Sequence, residues 1–357
     1  MDEDHKSYLS VTPGVTQPPS VKPAKTAALR QRLSFNEYVQ GIFQSDRMIL
    51  AKAITLIEST RAQDNELAQR IIQACLPKAG NSLRIGITGV PGAGKSTFLE
   101  SLGTMLAKDG MKLAVLAVDP SSGVSGGSIL GDKTRMEKLS ACENAFIRPS
   151  PSRGSLGGVA RRTRETMILC EAAGFRTIFV ETVGVGQSET LVHGMIDFFL
   201  LLMIAGAGDE LQGIKRGIIE MADMMVINKA EGDNLQRALA ARQEYASALH
   251  MFPARADGWI PPVLTCSSLT GAGIMEVWET IKSFAVQTRK NGSFEAKRRR
   301  QRVQWLKQTI ENDLMMEFWN DPQIKEQLDL LREDIESGDI YSGTAAQKLI
   351  RIFRNRQ

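Results

Sequence analysis

Apolar positions along the chain follow two alternating rhythms. Runs such as Leu83-Arg84-Ile85-Gly86-Ile87-Thr88 and the stretch from Phe198 to Ala205 are apolar almost throughout, the pattern of strands covered on both faces. Similar runs at Lys112 to Val118, Ala145 to Arg148, Thr177 to Glu181, Met224 to Asn228 and Val263 to Cys266 are separated by stretches with helical spacing. Strand alternating with helix over residues 81–289 predicts an α/β fold, a doubly wound and mostly parallel sheet flanked by helices.

Residues 34–80 read as helices. Ser34-Phe35-Asn36-Glu37 has capping-box spacing, and Ile49, Leu50, Ala53, Ile54 and Ile57 recur on one helical face. A third helix, from about Asp64 to Ala74, stops near Pro77-Lys78-Ala79-Gly80. Residues 1–33 mix Pro, Ser, Lys and Thr without period and predict a disordered or loosely attached tail. Residues 290–357 predict three more helices, roughly 294–319, 321–336 and 342–354. The first carries an apolar stripe of Val303, Leu306, Ile310 and Leu314, to be buried either in a dimer, as a helical arm, or back on its own domain.

Composition narrows the classes. A net charge of +4 with 24% charged residues points to neither nucleic acid nor membrane. The basic run Lys297-Arg298-Arg299-Arg300-Gln301-Arg302 has no interleaved aromatics and reads as a charged, solvated helix face. Four cysteines (Cys75, Cys142, Cys170, Cys266) lie far apart without a C-x-x-C, as expected of reduced thiols in a cytoplasmic protein. No signal peptide opens the chain, and its most apolar run is too short to span a bilayer.

The chemistry concentrates after the first strand. Gly89-Val90-Pro91-Gly92-Ala93-Gly94-Lys95-Ser96, followed by Thr97, is a full phosphate loop between a strand and a helix. Its backbone N–H groups suit phosphates, Lys95 suits the β and γ oxygens, and the Ser96 hydroxyl suits Mg²⁺. Asp119 ends the second strand, and Asp132 follows a Gly- and Ser-rich loop; each is a candidate metal carboxylate, with a purely structural role, for Asp119 a helix cap, as the plainer alternative for both. Glu181 ends the fourth strand with Gly184 three residues on, an arrangement in which the acid orders the metal's waters and the glycine amide senses the γ-phosphate. Gln187 is either a residue that orients the attacking water or a plain loop residue. Asn228-Lys229-Ala230-Glu231 has the form of a guanine-reading N-K-x-D loop with Glu in the fourth place, and Ser267-Ser268 ends the last strand, where a backbone N–H meets the guanine oxygen.

Together these stretches, with Val118-Asp119-Pro120-Ser121-Ser122, Ile147 to Gly154, Glu181 to Glu189 and Ala205 to Lys215, make the segment from about Asp46 to Phe284 resemble the MeaB/ArgK GTPases, bacterial relatives of the human methylmalonic aciduria type A protein. The resemblance implies a GTP- and Mg²⁺-dependent metallochaperone. It would gate adenosylcobalamin loading of methylmalonyl-CoA mutase, or of a related cobalamin-dependent acyl-CoA mutase, and protect the enzyme. It also implies a homodimer built through the C-terminal arm, metal held around Ser96, Asp119, Asp132 and Glu181, and a switch that relays nucleotide state through Asp209, Gln212 and Lys215. Glu231 and Ser268 depart from the family's Asp and Ala, both on the base side. A kinase or ATPase linked to arginine and ornithine transport is the alternative, against which the guanine-type loop argues. A nickel chaperone would need a His/Cys cluster that His5, His193 and His250 do not form. Arg135, Arg148 and Arg153 are candidate arginine fingers, or residues that hold a loop or pair with an acid.

Overall fold

The computed structural model describes residues 33–59, 61–118, 136–149, 156–182, 188–206 and 216–355. The apolar runs become strands β1 (Leu83–Gly89), β2 (Leu113–Val118), β3 (Ala145–Arg148), β4 (Thr177–Thr182), β5 (Phe198–Ile204), β6 (Met224–Asn228) and β7 (Val263–Thr265). They pair in parallel as one sheet in the order β3-β2-β4-β1-β5-β6-β7. β1 lies between β4 and β5, where the direction of winding reverses, so its carboxyl end opens into the crevice of a doubly wound sheet.

Helices α1 (Phe35–Phe43), α2 (Arg47–Glu58) and α3 (Ala62–Cys75) precede the sheet. The intervening helices are α4 (Lys95–Lys108), α5 (Glu137–Ser140), α6 (Leu156–Ala172), α7 (Ser188–His193), α8 (Arg216–Met221) and α9 (Leu235–Leu249), and α10 (Ile274–Lys290) follows β7. Alternation along the strands decides what covers each face. Ile85 and Ile87 of β1 join Phe98, Leu99 and Leu102 of α4 and Val277, Ile281 and Phe284 of α10 in one core. Near the sheet's other edge, Arg148 at the end of β3 pairs with Glu58 of α2. Asp46, which sequence reading passes over, caps α2 by accepting from the amides of Met48 (2.8 Å) and Ile49 (3.0 Å). Cys75, Cys170 and Cys266 are buried as thiols and Cys142 is half-buried. Among the described residues no helix is long and apolar enough to cross a membrane.

Three helices close the chain: α11 (Ser293–Asn320), α12 (Pro322–Ser337) and α13 (Ser342–Arg354). Here the basic run corrects the expectation of a solvated face. Arg299, Arg300 and Arg302 are exposed, but Arg298 is buried. Its guanidinium grips both oxygens of Asp197 at 2.7 and 2.6 Å and donates to the carbonyls of Gly80 (2.5 Å) and Ser82 (2.6 Å). Lys297 donates to the Asp197 carbonyl at 2.8 Å. A charge can be buried in this way only because every side of it is paired. Farther along, α11 lies on α6 through polar contacts: Asp313 meets Arg161 at 2.8 Å, Gln308 accepts from Arg164 at 3.0 Å, and Trp305 lies beneath the Arg164 guanidinium. The stripe therefore faces outward, with Val303, Leu306, Ile310 and Leu314 each at least half exposed, and it does not pack back on its own domain.

His193, at the end of α7, meets Phe199 edge-on near the amino ends of β5 and β6. Asp197, Arg255, Asp257 and Lys297 line the same cavity of about 350 Å³. Burial first, then the charges of Lys297 and Arg255, push its pKa down to about 4. The unfolded chain takes up this proton near pH 6.5 while the folded chain refuses it until about pH 4. Stability carried by the neutral imidazole is therefore present above pH 6.5 and is lost as pH falls, by roughly 2 kcal/mol at pH 5. Urea unfolding at pH 7 and pH 5 should show His193→Gln losing less stability than the parent over this interval; equal losses would contradict the assignment.

Candidate functional site

The phosphate loop is held by its own sequence. Val90 and Ala93 are buried in the core beneath it. Gly89 has φ 153° and passes so close to β5 that a Cβ would lie 2.0 Å from the Leu202 carbonyl oxygen. Gly94, left-handed at φ +86°, is the residue that precedes and caps α4, and a Cβ there would lie 2.8 Å from Asn228 Nδ2. No side chain caps α4, so its first amides stay available to an anion at the positive end of the helix.

Around this loop the structure gathers Lys95, Ser96 and Glu181. Lys95 Nζ folds back onto the carbonyls of Gly89 (2.8 Å) and Val90 (3.1 Å). Burial lowers its pKa, and the charges of Glu181 and Glu189 oppose that shift. Ser96 donates its hydroxyl to Glu181 Oε1 at 2.9 Å, joining two residues 85 positions apart. Thr97 is exposed on the first turn of α4. Glu189 is a site residue that sequence reasoning missed. Buried in α7, it accepts from Thr88 at 3.4 Å, and Thr182 donates to Thr88 at 2.8 Å. The available signal was an acid immediately after Gln187-Ser188, too near in sequence to the other candidates to stand out.

On the base side Asn228 fastens three loops together. Its Nδ2 donates to the Ala93 carbonyl of the phosphate loop at 2.7 Å, and its Oδ1 accepts from the Ser268 amide at 3.0 Å, the Ser268 hydroxyl at 2.8 Å and the Cys266 thiol at 3.4 Å. The Ala230 amide donates to the Cys266 carbonyl at 3.0 Å. Lys229 sits in the left-handed region at φ +60°, a conformation costly for a residue with a side chain, and Asn234 steadies it by donating to its carbonyl at 2.8 Å. Ser267 is fully buried and accepts from the Thr270 amide at 3.0 Å. Glu231 Oε2 is buried with no hydrogen-bond partner among the described residues, an acceptor of the kind that guanine's N1–H and amino group would satisfy.

Other expected residues divide in two. Asp119, Asp132, Gly184, Gln187, Asp209, Gln212 and Lys215, with Arg135 and Arg153, lie outside the described residues. Arg148 is committed to Glu58 and reaches Thr55 Oγ1 at 3.4 Å, which makes it a pairing residue. Among the described residues no group of three His, Cys, Asp or Glu could hold a metal ion by itself, so the Ser96 and Glu181 pair would need further ligands.

Comparison with known proteins agrees with this geometry. The family model described as "Methylmalonyl Co-A mutase-associated GTPase MeaB" matches residues 50–323. GTPase ArgK of Escherichia coli is 51% identical over 279 residues, covering 78% of this chain and 84% of its own. The mitochondrial methylmalonic aciduria type A homolog of Mus musculus is 47% identical over 326 residues, covering 88% and 79%. The crystal structure of a LAO/AO transport system kinase superposes with a TM-score of 0.71 at 38% identity, covering 92% of this chain and all of that one.

Proposed function

Since the chain belongs to the MeaB family and is a GTPase, we propose that it is a GTP-hydrolysing metallochaperone that gates adenosylcobalamin loading of methylmalonyl-CoA mutase, or of a related cobalamin-dependent acyl-CoA mutase, and protects that enzyme. The observation that carries the nucleotide chemistry is the convergence of Lys95, Ser96 and Glu181 on one side of the phosphate loop and of Asn228 and Ser268 on the other. The buried, unpartnered Glu231 oxygen fits a guanine, and the Ser96 and Glu181 oxygens fit a hard cation.

Mg²⁺, when bound, neutralises charge that develops between the β- and γ-phosphates. Ser96 and Glu181, with Asp119 and Asp132, would hold it. Lys95 exchanges the carbonyls of Gly89 and Val90 for phosphate oxygens, and the uncapped amides of α4 orient the phosphate chain. Gln187 orients the attacking water, and the Gly184 amide senses the γ-phosphate. The loops after β2 and β4 would be ordered by GTP and released on hydrolysis, and Asp209, Gln212 and Lys215 would pass that difference to the mutase. Intrinsic turnover would be slow and raised by the partner. The exposed stripe of α11 is the surface for a homodimer, and the site of action is the cytoplasm.

The deciding experiment is steady-state hydrolysis of GTP and of ATP with and without purified methylmalonyl-CoA mutase. Stimulation of GTP turnover alone is expected. Equal use of ATP would overturn the base reading in favour of a transport-linked kinase, and indifference to the mutase would overturn the partner. In the same assay Lys215→Ala should keep intrinsic hydrolysis near the parent rate while losing most of the mutase-dependent stimulation. Parallel loss of both rates would remove the relay.

A further inference from the structure

We propose that the Ser268 hydroxyl is a positioning group for base recognition: it holds Asn228 from within the last loop, so that the Ser268 amide can turn to the exocyclic oxygen of guanine without stranding the asparagine. The inference rests on the guanine reading above and deepens it.

Asn228 is 1% exposed, and an amide oxygen so placed must keep its partners. Its Oδ1 has two lone pairs, and two strong donors from one residue converge on it: the Ser268 amide at 3.0 Å and the Ser268 hydroxyl at 2.8 Å. The Cys266 thiol at 3.4 Å is a weak third. Donation is thus duplicated on one acceptor, while the neighbouring Glu231 Oε2 has no donor among the described residues. A guanine entering between these loops presents donors to Glu231 and a carbonyl oxygen to the last loop. The Ser268 amide, which donates to Asn228 Oδ1 at 3.0 Å, is the group that can turn to that carbonyl, because the hydroxyl stays behind on Asn228. Asn228 Nδ2 meanwhile keeps its bond to the Ala93 carbonyl, so the phosphate loop is not released when the base is read.

With alanine at 268, recruiting the amide to the base would leave Asn228 Oδ1 only the thiol, and the loss would be felt in binding. Ser268→Ala should raise KM for GTP and for inosine triphosphate, which keeps the carbonyl, by roughly tenfold each. It should not raise KM for ATP, whose ring carries an amino group at that position. Ser268→Thr, which retains the hydroxyl, should restore the parent values. In combination with Asn228→Ala the effect of Ser268→Ala should vanish, because the hydroxyl would have nothing to hold. An unchanged KM in Ser268→Ala, an equal rise for ATP, or full additivity with Asn228→Ala would each overturn the role while leaving GTP turnover by the parent intact. A parent that does not turn over GTP would overturn the guanine reading and this inference with it.

Discussion

Lys95→Ala should lower GTP turnover by roughly a hundredfold or more and weaken nucleotide binding, with the fold retained. The lysine's only direct contacts among those described are two loop carbonyls, Gly89 at 2.8 Å and Val90 at 3.1 Å, which water can replace. What water cannot replace is the cation. Glu181 and Glu189 both lie close enough to Lys95 to raise its pKa against burial. Their negative field falls where phosphate oxygens must enter, and removing Lys95 leaves it uncompensated at the point where a triphosphate adds more charge. Arginine should not rescue the variant, because its planar fork is wider than the ammonium the loop encloses. Phosphate release under multiple turnover, with thermal melting as the control for folding, decides the matter. Full activity in Lys95→Ala would refute the site.

Glu181→Gln should slow hydrolysis by roughly a hundredfold while nucleotide binding to the phosphate loop persists. The amide keeps an oxygen for the Ser96 hydroxyl, now at 2.9 Å from Glu181 Oε1, so packing at the end of β4 survives and only the charge is lost. The cation should then bind less tightly, and the Mg²⁺ concentration needed for half-maximal turnover should rise. Titration of Mg²⁺ in the steady-state assay separates this role from a purely structural one; an unchanged requirement would take Glu181 out of the metal site.

The seven strands were legible because strands covered on both faces must be apolar nearly throughout, a demand that leaves little freedom in runs such as Met224 to Asn228. The phosphate loop was legible because its glycines answer local constraints, at Gly89 the approach of a neighbouring strand and at Gly94 a left-handed start to the helix. Residues whose meaning depends on distant partners were not. Arg298 is one of four arginines within five residues, and nothing in the run marks the one that turns inward to Asp197. Glu189 looks like an ordinary acid in the first turn of a helix until the sheet brings Thr88 and Lys95 beside it. Lys229 is left-handed because the neighbouring loops hold it there, where spacing alone would suggest a glycine or asparagine.

The Arg298 clamp moves the seam of the molecule. In sequence the break falls after Arg289, where the sheet ends and the closing helices begin, and a protein engineer would cut there. Yet the first turns of α11 supply the counter-ion for Asp197, which prepares β5, and the donors for Gly80 and Ser82, which prepare β1. A GTPase fragment stopped at that break would carry a buried carboxylate with its guanidinium removed, next to the strand that leads into the phosphate loop. The natural joint lies inside a continuous helix, beyond Gln301, whose amide still donates to the Ile196 carbonyl, and beyond Gln308 and Asp313, which hold Arg164 and Arg161 of α6; grafting or trimming of the arm should begin after Asp313.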